Sequence, residues 1–231
     1  MSSSGRLPER PPPAGLFVTG TGTEVGKTVV AAVIARTAAA AGRQVRVFKP
    51  AVSGLADYEG DGSPADHELL RSAAGSPQSD DEIAPYRYRE PVSPHLGAAL
   101  AGAAIDPKRL RAGAAAAARS GDYLVCEGVG GFLVPLTLGY LVRDFARDLG
   151  LPVVIAATPG LGTINHTVLT VEAVRSVGLE VAAVVLTPWP EDPDDVERSN
   201  AEAIERLGAV GVSFLPPLDL TEPDSWPALE L

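Results

Sequence analysis

The stretch Thr19-Gly20-Thr21-Gly22-Thr23-Glu24-Val25-Gly26-Lys27-Thr28 decides the fold. A short apolar run, Leu16-Phe17-Val18, precedes it, and the helix-forming run Val29 to Ala41 follows. Strand, glycine-rich turn, Gly-Lys-Thr and helix is the context a phosphate-binding P-loop requires. Glycines let successive backbone N–H groups converge on a phosphate, and the helix N-terminus adds partial positive charge. Lys27 would reach the terminal phosphates and the Thr28 hydroxyl would sit on Mg²⁺. Five residues separate Gly20 from Gly26, one more than in the common spacing. Glu24 is the unusual member, because a carboxylate beside a triphosphate repels it: it points away, or it acts on something else.

Outward from the loop, apolar runs alternate with helical ones. Strands are expected at Leu16 to Thr19, Val45 to Phe48, Tyr123 to Cys126, Val153 to Ala157, Val181 to Leu186 and Val212 to Leu215, with Ile83 to Glu90 a short strand or extended segment. Helices are expected at Lys27 to Ala41, from Asp66, at His95 to Ala103, Asp106 to about Arg119, Tyr140 to Leu149, Ile164 to Val177 and Asp192 to Leu207. Met1 to Ala14, rich in Ser, Arg and Pro, reads as a disordered tail, Gly60 to Pro64 as a loop, and Glu222 to Leu231 as a proline-broken tail. The alternation predicts one α/β domain over 15–231, of the P-loop NTPase type, with about six to seven mainly parallel strands flanked by helices.

In such a sheet ligands gather at the carboxyl ends of the strands. Lys49 stands at one such end, leading into Pro50-Ala51-Val52-Ser53-Gly54. Glu127 stands at another, before Gly128-Val129-Gly130-Gly131, where a carboxylate suits a Mg²⁺ site facing the phosphates. Taken alone, Asp66 is a favourable charge in the first turn of a helix. The turn Thr158-Pro159-Gly160-Leu161-Gly162-Thr163 offers free N–H groups that could bind a carboxylate or could simply be capped.

Composition narrows the function classes. A net charge of −10 argues against a non-specific nucleic-acid surface, so an anionic ligand must be held by local N–H groups and a few lysines. No apolar run approaches a membrane span, and the N-terminus carries no apolar signal core. Cys126 is the single cysteine, which excludes an internal disulfide and fits a reducing cytoplasm.

Taken together, these motifs resemble the dethiobiotin synthetase family over about Leu16 to Pro217. The resemblance rests on the ten-residue loop at 19 to 28, Lys-Pro-x-x-Ser-Gly at 49 to 54 and the helix start at Asp66. It extends to Pro-x-Ser-Pro-His at 91 to 95, Glu-Gly-x-Gly-Gly at 127 to 131 and Leu-Gly-x-Ile-Asn-His at 161 to 166. The family shares the longer P-loop. The resemblance implies a cytoplasmic homodimer that uses ATP, Mg²⁺ and CO2 to close the ureido ring of dethiobiotin from 7,8-diaminopelargonic acid.

Residue roles follow from the resemblance. It makes Lys49, Lys27, Thr23 and Glu24 catalytic, and Thr28, Asp66 and Glu127 the Mg²⁺ ligands. ATP is assigned to Gly22, Thr23, Glu24, Val25, Gly26, Lys27 and Thr28, with Glu127, Thr187, Pro188 and Pro216. The diamine is assigned to Lys49 and Ser53, and its carboxylate tail to Gly162, Thr163, Ile164 and Asn165 across the dimer. Two departures stand out. Some members carry Asn-Asp, with the Asn reading adenine, where this chain has Thr187-Pro188-Trp189, which leaves other nucleoside triphosphates admissible. Gly22 replaces an acidic residue found in some relatives. Two rival classes are a P-loop switch ATPase acting on a protein partner and a non-catalytic nucleotide-binding scaffold. The first usually has an additional lysine in the loop, and none precedes Lys27 here; the joint presence of Lys27, Lys49, Asp66 and Glu127 argues against the second.

Overall fold

A computed structural model describes residues 14–58, 63–229 and 231. The tail expected at 1–14 falls outside them apart from Ala14, as does the loop from Gly60 up to Ser63. The first half of the chain forms β1 (Gly15–Gly20), α1 (Lys27–Ala40), β2 (Val45–Phe48), α2 (Leu55–Tyr58), α3 (Asp66–Ala74), α4 (Asp80–Ile83), α5 (Pro94–Leu100), α6 (Pro107–Ser120) and β3 (Tyr123–Glu127). It continues as β4 (Pro135–Thr137), β5 (Tyr140–Leu141), α7 (Val142–Leu149), β6 (Val153–Ala157), α8 (Thr163–Arg175), β7 (Val181–Leu186), α9 (Asp195–Gly208) and β8 (Val212–Phe214).

Six strands form one parallel sheet in the order β2-β3-β1-β6-β7-β8, as the alternation predicts. Both faces are covered, so successive residues of one strand enter different cores. Phe17, Leu124 and Ile155 pack with α6, α7 and α8 on one face, where Phe145 meets the rings of Phe17 and Phe48. Val18, Val125 and Val154 pack on the other face with α1 and α3. Burying each large apolar side chain contributes roughly 1.5–3 kcal/mol. The sheet is therefore a stiff platform, and its carboxyl edge carries the loops after β1, β2, β3 and β7.

The structure corrects four local expectations. Tyr140 and Leu141 are not the first turn of a helix: they pair with Pro135–Thr137 in a small antiparallel hairpin, and the helix begins at Val142. Ile83 closes the short helix α4, which Ser79 and Glu82 cap reciprocally, and the extended segment beyond it makes an isolated parallel bridge between Val52 and Arg87. The helix expected from Asp192 starts at Asp195, because Asp194 and Glu197 form a capping box that leaves Pro193 outside. The C-terminal segment contains a 3-10 turn, Pro223–Ser225, and packs onto α1 rather than trailing away. Trp226 and Leu229 are buried there, the Trp226 indole donates to the Asp219 carbonyl at 2.7 Å, and the Leu229 amide donates to Thr37 Oγ1 at 3.2 Å.

Candidate active site

The loop after β1 folds as it does because of what its glycines leave empty. A Cβ on Gly20 would lie 2.6 Å from Val25 Cγ2 and 2.8 Å from Lys27 Cγ. Gly26 has φ +82°, and a Cβ there would meet the Thr187 methyl at 2.6 Å. Side-chain-bearing residues rarely adopt that φ, so Gly26 is required both by its backbone and by β7's neighbouring loop. Glu24 also lies in the left-handed region, at φ 58°, and is exposed on the cleft. Val25 is buried and anchors the loop, while Lys27 Nζ donates to the Gly22 carbonyl at 2.6 Å.

Sheet register brings the other groups together. Phe48 pairs with Cys126, so the next residues of the two strands, Lys49 and Glu127, leave the sheet side by side. The extended segment after α4 fixes the Lys49 loop: the Lys49 amide donates to the Ile83 carbonyl at 2.9 Å, and the Val52 amide to Tyr86 at 2.9 Å. Asp66 is the first residue of α3, whose N-terminus is held by the Glu68 carboxylate accepting from the Ala65 amide.

Lys49 Nζ lies 2.5 Å from Glu127 Oε1 and 2.6 Å from Asp66 Oδ2. Thr28 Oγ1 donates to the same Glu127 oxygen at 2.8 Å. The Tyr58 hydroxyl donates to Asp66 Oδ1 at 3.1 Å. Lys49 is 3% exposed and Glu127 is fully buried, so these bonds form away from bulk water, where they are strong.

The charges follow from this packing. Burial alone would lower the Lys49 ammonium, but Asp66 and Glu127 outweigh it and hold Lys49 above the ordinary lysine range. Burial would raise Asp66, yet the Lys49 charge and the bonds from Lys49, Thr28 and Tyr58 bring it below the usual carboxylate value. Glu127 is pushed up by its own burial, an effect Lys49 only partly offsets. Lys27 is lowered by burial, with Glu127 opposing. Burial and the Asp66 charge push the Tyr58 phenol up to about 12, so it is a donor at neutral pH.

Glu127 Oε2 is buried without a hydrogen-bond partner, on the carboxylate whose Oε1 accepts from Lys49 and Thr28. Two carboxylates and a hydroxyl suit Mg²⁺, which takes few protein ligands and fills its octahedron with waters and phosphate oxygens. Among the described residues no group of three or more His, Cys, Asp and Glu side chains gathers into a denser metal site.

These residues open onto a cleft of about 750 Å³, the size of a small-molecule site. Thr23, Glu24, Gly26, Lys27 and Thr28 line it from the P-loop, together with Lys49, Ser53, Asp66 and Glu127. Gly22 reaches it only through the carbonyl that holds Lys27, and Val25 points into the core. Thr187, Pro188 and Pro216 are not on its lining. Thr187 is buried with its methyl against Gly26, and Pro188 and Pro216 are exposed. Gly162, Thr163, Ile164 and Asn165 also lie off this cleft, at the start of α8. Their turn is anchored by the buried Asn200, which donates to the Pro159 and Gly160 carbonyls.

Sequence reasoning missed Tyr58 and Leu220, which also line the cleft. Tyr58 follows Lys-Pro-x-x-Ser-Gly by only four residues, and that proximity was the available signal. Leu220 comes from the C-terminal segment and had none.

The chain is similar to known proteins over most of its length. A family model described as "AAA domain" matches residues 14–223. The chain is 44% identical over 193 residues to the ATP-dependent dethiobiotin synthetase BioD of Anaeromyxobacter dehalogenans, covering 84% of this chain and 85% of that protein. It is 36% identical over 203 residues to the enzyme of the same name from Bacillus subtilis, covering 88% and 87%. The septum site-determining protein MinD of Pyrococcus horikoshii, solved with Mg-ADP, is similar in fold alone, with a TM-score of 0.52 and 16% identity over 88% of this chain and 81% of that one. By the share of the chain matched and the identity over it, this protein belongs to the ATP-dependent dethiobiotin synthetase family.

Proposed function

We propose that this chain closes a ureido ring by joining CO2 to the two amines of 7,8-diaminopelargonic acid at the expense of ATP, in biotin synthesis. The observation that carries the reading is one lysine, Lys49, bonded at once to Asp66 and Glu127, with the P-loop Thr28 on the same Glu127 oxygen. One amine takes up CO2 as a carbamate and loses a proton. A carbamate oxygen attacks the γ-phosphorus, and the bond to ADP breaks. The second amine attacks the resulting carbamic–phosphoric anhydride at carbon, expelling phosphate and losing its proton. The products are dethiobiotin, ADP and phosphate.

Each step sets two anions or two amines together, which decides the residue types. Carbamate and γ-phosphate repel, and Lys27 and Lys49 offset that repulsion in a site shielded from water. Mg²⁺, held by Thr28, Asp66 and Glu127, would neutralise charge on the phosphate oxygens. Thr23 and Ser53 present hydroxyls on the cleft to the substrate. Glu24 is exposed on the cleft at φ 58°, and its carboxylate would orient an ammonium or take its proton before attack. Ring closure gains further from holding both amines beside one carbonyl. The turn at Gly162 to Asn165 lies off this chain's cleft, which supports a homodimer in which each copy's turn receives the carboxylate tail in the other copy's site. The buried, unpaired Cys126 suits a cytoplasmic enzyme.

The test is phosphate release from MgATP and bicarbonate, with and without the diamine. Release that requires the diamine supports the reading. Release indifferent to it would sink the reading and favour a switch ATPase with a protein partner.

A further inference from the structure

Asp66 has both carboxylate oxygens occupied: Oδ2 by Lys49 and Oδ1 by Tyr58. Lys49 cannot stay on Asp66 with full strength while it also neutralises an incoming carbamate and phosphate. A carboxylate released on that side would be free to rotate unless something held its other oxygen. We infer that Tyr58 is a positioning residue, whose hydroxyl holds Asp66 in its metal-binding orientation while Lys49 turns to the substrate. The inference rests on the assignment of Asp66 as a Mg²⁺ ligand made above.

Three observations carry it. The three residues before Tyr58 in its short helix are tied to neighbouring backbone: Leu55 donates to the Tyr88 carbonyl, Ala56 to Arg89 and Asp57 to Gly54. Its ring belongs to neither hydrophobic core, so the hydroxyl's position is not a by-product of core packing. It is half-buried on the lining of the cleft, on the side of Asp66 away from Lys49. Groups that hydrogen-bond a metal ligand from outside commonly change metal affinity about 10- to 100-fold when removed.

The test is Mn²⁺ binding in the presence of ATP and without the diamine, followed by electron paramagnetic resonance. It compares wild type, Tyr58→Phe, Asp66→Asn and the double variant, with melting temperatures recorded for each. Tyr58→Phe keeps the ring and removes only the donor. The expected result is about tenfold weaker Mn²⁺ in Tyr58→Phe, with the Mg²⁺ concentration for half-maximal turnover raised by a similar factor. The double variant should bind no more weakly than Asp66→Asn alone, because Tyr58 acts through Asp66. Wild-type affinity in Tyr58→Phe with weakened Asp66→Asn overturns the role of Tyr58 and leaves the metal site standing. Additive losses in the double variant overturn it as well, since Tyr58 would then act elsewhere. Undiminished binding in Asp66→Asn overturns the metal assignment and this inference with it. Should Tyr58→Phe melt early, the comparison of the double variant with Asp66→Asn still decides, because it is made at temperatures where both are folded.

Discussion

At Lys49 two demands meet, one of folding and one of chemistry. Its ammonium bonds Glu127 and Asp66 together at the sheet edge, and it faces the cleft where anions must be joined. Lys49→Met should therefore cost twice. Catalysis should fall by about 10²–10³ in kcat, the usual loss for one preorganised electrostatic group, read as diamine-dependent phosphate release. Stability should fall by about 3 kcal/mol near pH 8, because a buried carboxylate is left without its cation. In that variant the upward push of burial on Glu127 stands without its main offset. A carboxyl whose folded pKa is raised binds its proton more tightly folded than unfolded. Its contribution is then fully present below the unfolded pKa and is lost as pH rises through the folded one. The deficit of Lys49→Met should thus be smaller at pH 5 than at pH 8 in urea unfolding, and a deficit flat with pH would contradict the account. Asp66 has the opposite sign: held below its ordinary value, it stabilises above the unfolded pKa and loses that contribution as pH falls through the folded one. Asp66→Asn should accordingly flatten the acid limb of thermal stability below about pH 4.

Among the elements, the P-loop is the most constrained. Gly26→Ala places a Cβ at φ +82° and against the Thr187 methyl. The left-handed conformation alone should cost about 1–2 kcal/mol, and the clash should add to it. Thr187→Ser removes that methyl, so in the Gly26→Ala background it should recover the clash and leave the backbone cost, measured by chemical denaturation. The C-terminal segment is the second case. Trp226→Ala should lower stability by about 3–5 kcal/mol, since its ring is buried and its indole holds the Asp219 carbonyl. An unchanged unfolding midpoint would show that the segment only rests on α1. These two elements differ in how far the sequence revealed them. The P-loop was legible because its glycines and lysine recur at a spacing set by phosphate geometry. The C-terminal packing was not, because prolines there break every local period and only the tertiary contact with Thr37 and α1 orders it. The hairpin β4–β5 was hidden for a related reason: its strands are too short to show alternation.

For the whole molecule, the parallel sheet converts strand order into chemistry. Strands β2, β3 and β1 are adjacent, so Lys49, Glu127 and the P-loop, spread over 99 positions from Thr28 to Glu127, end within hydrogen-bonding reach. The strand-end positions of Lys49, Glu127 and the P-loop could be read from the sequence, since each closes an apolar run, but the strand order that makes them neighbours could not. The partners of Asp66 could not, because α2 and α3 reach the site through loops whose course no local pattern fixes. The turn at Gly162 to Asn165 could be read as an anion-binding helix start, but its position off the cleft emerges only from the fold. If the tail of the substrate is bound there by a second copy, activity per chain should drop on dilution below the dimer dissociation constant, in step with loss of the dimer by light scattering. Activity constant through that dilution would place the whole site in one chain.

The most direct test of the central claim follows the carbon. Purified protein is incubated with MgATP, 7,8-diaminopelargonic acid and ¹³C-bicarbonate, and the product is examined by mass spectrometry beside an ADP assay. The account predicts a cyclic urea bearing the labelled carbon, formed in step with ADP and lost in Lys49→Met. ADP formed without a labelled product would contradict it.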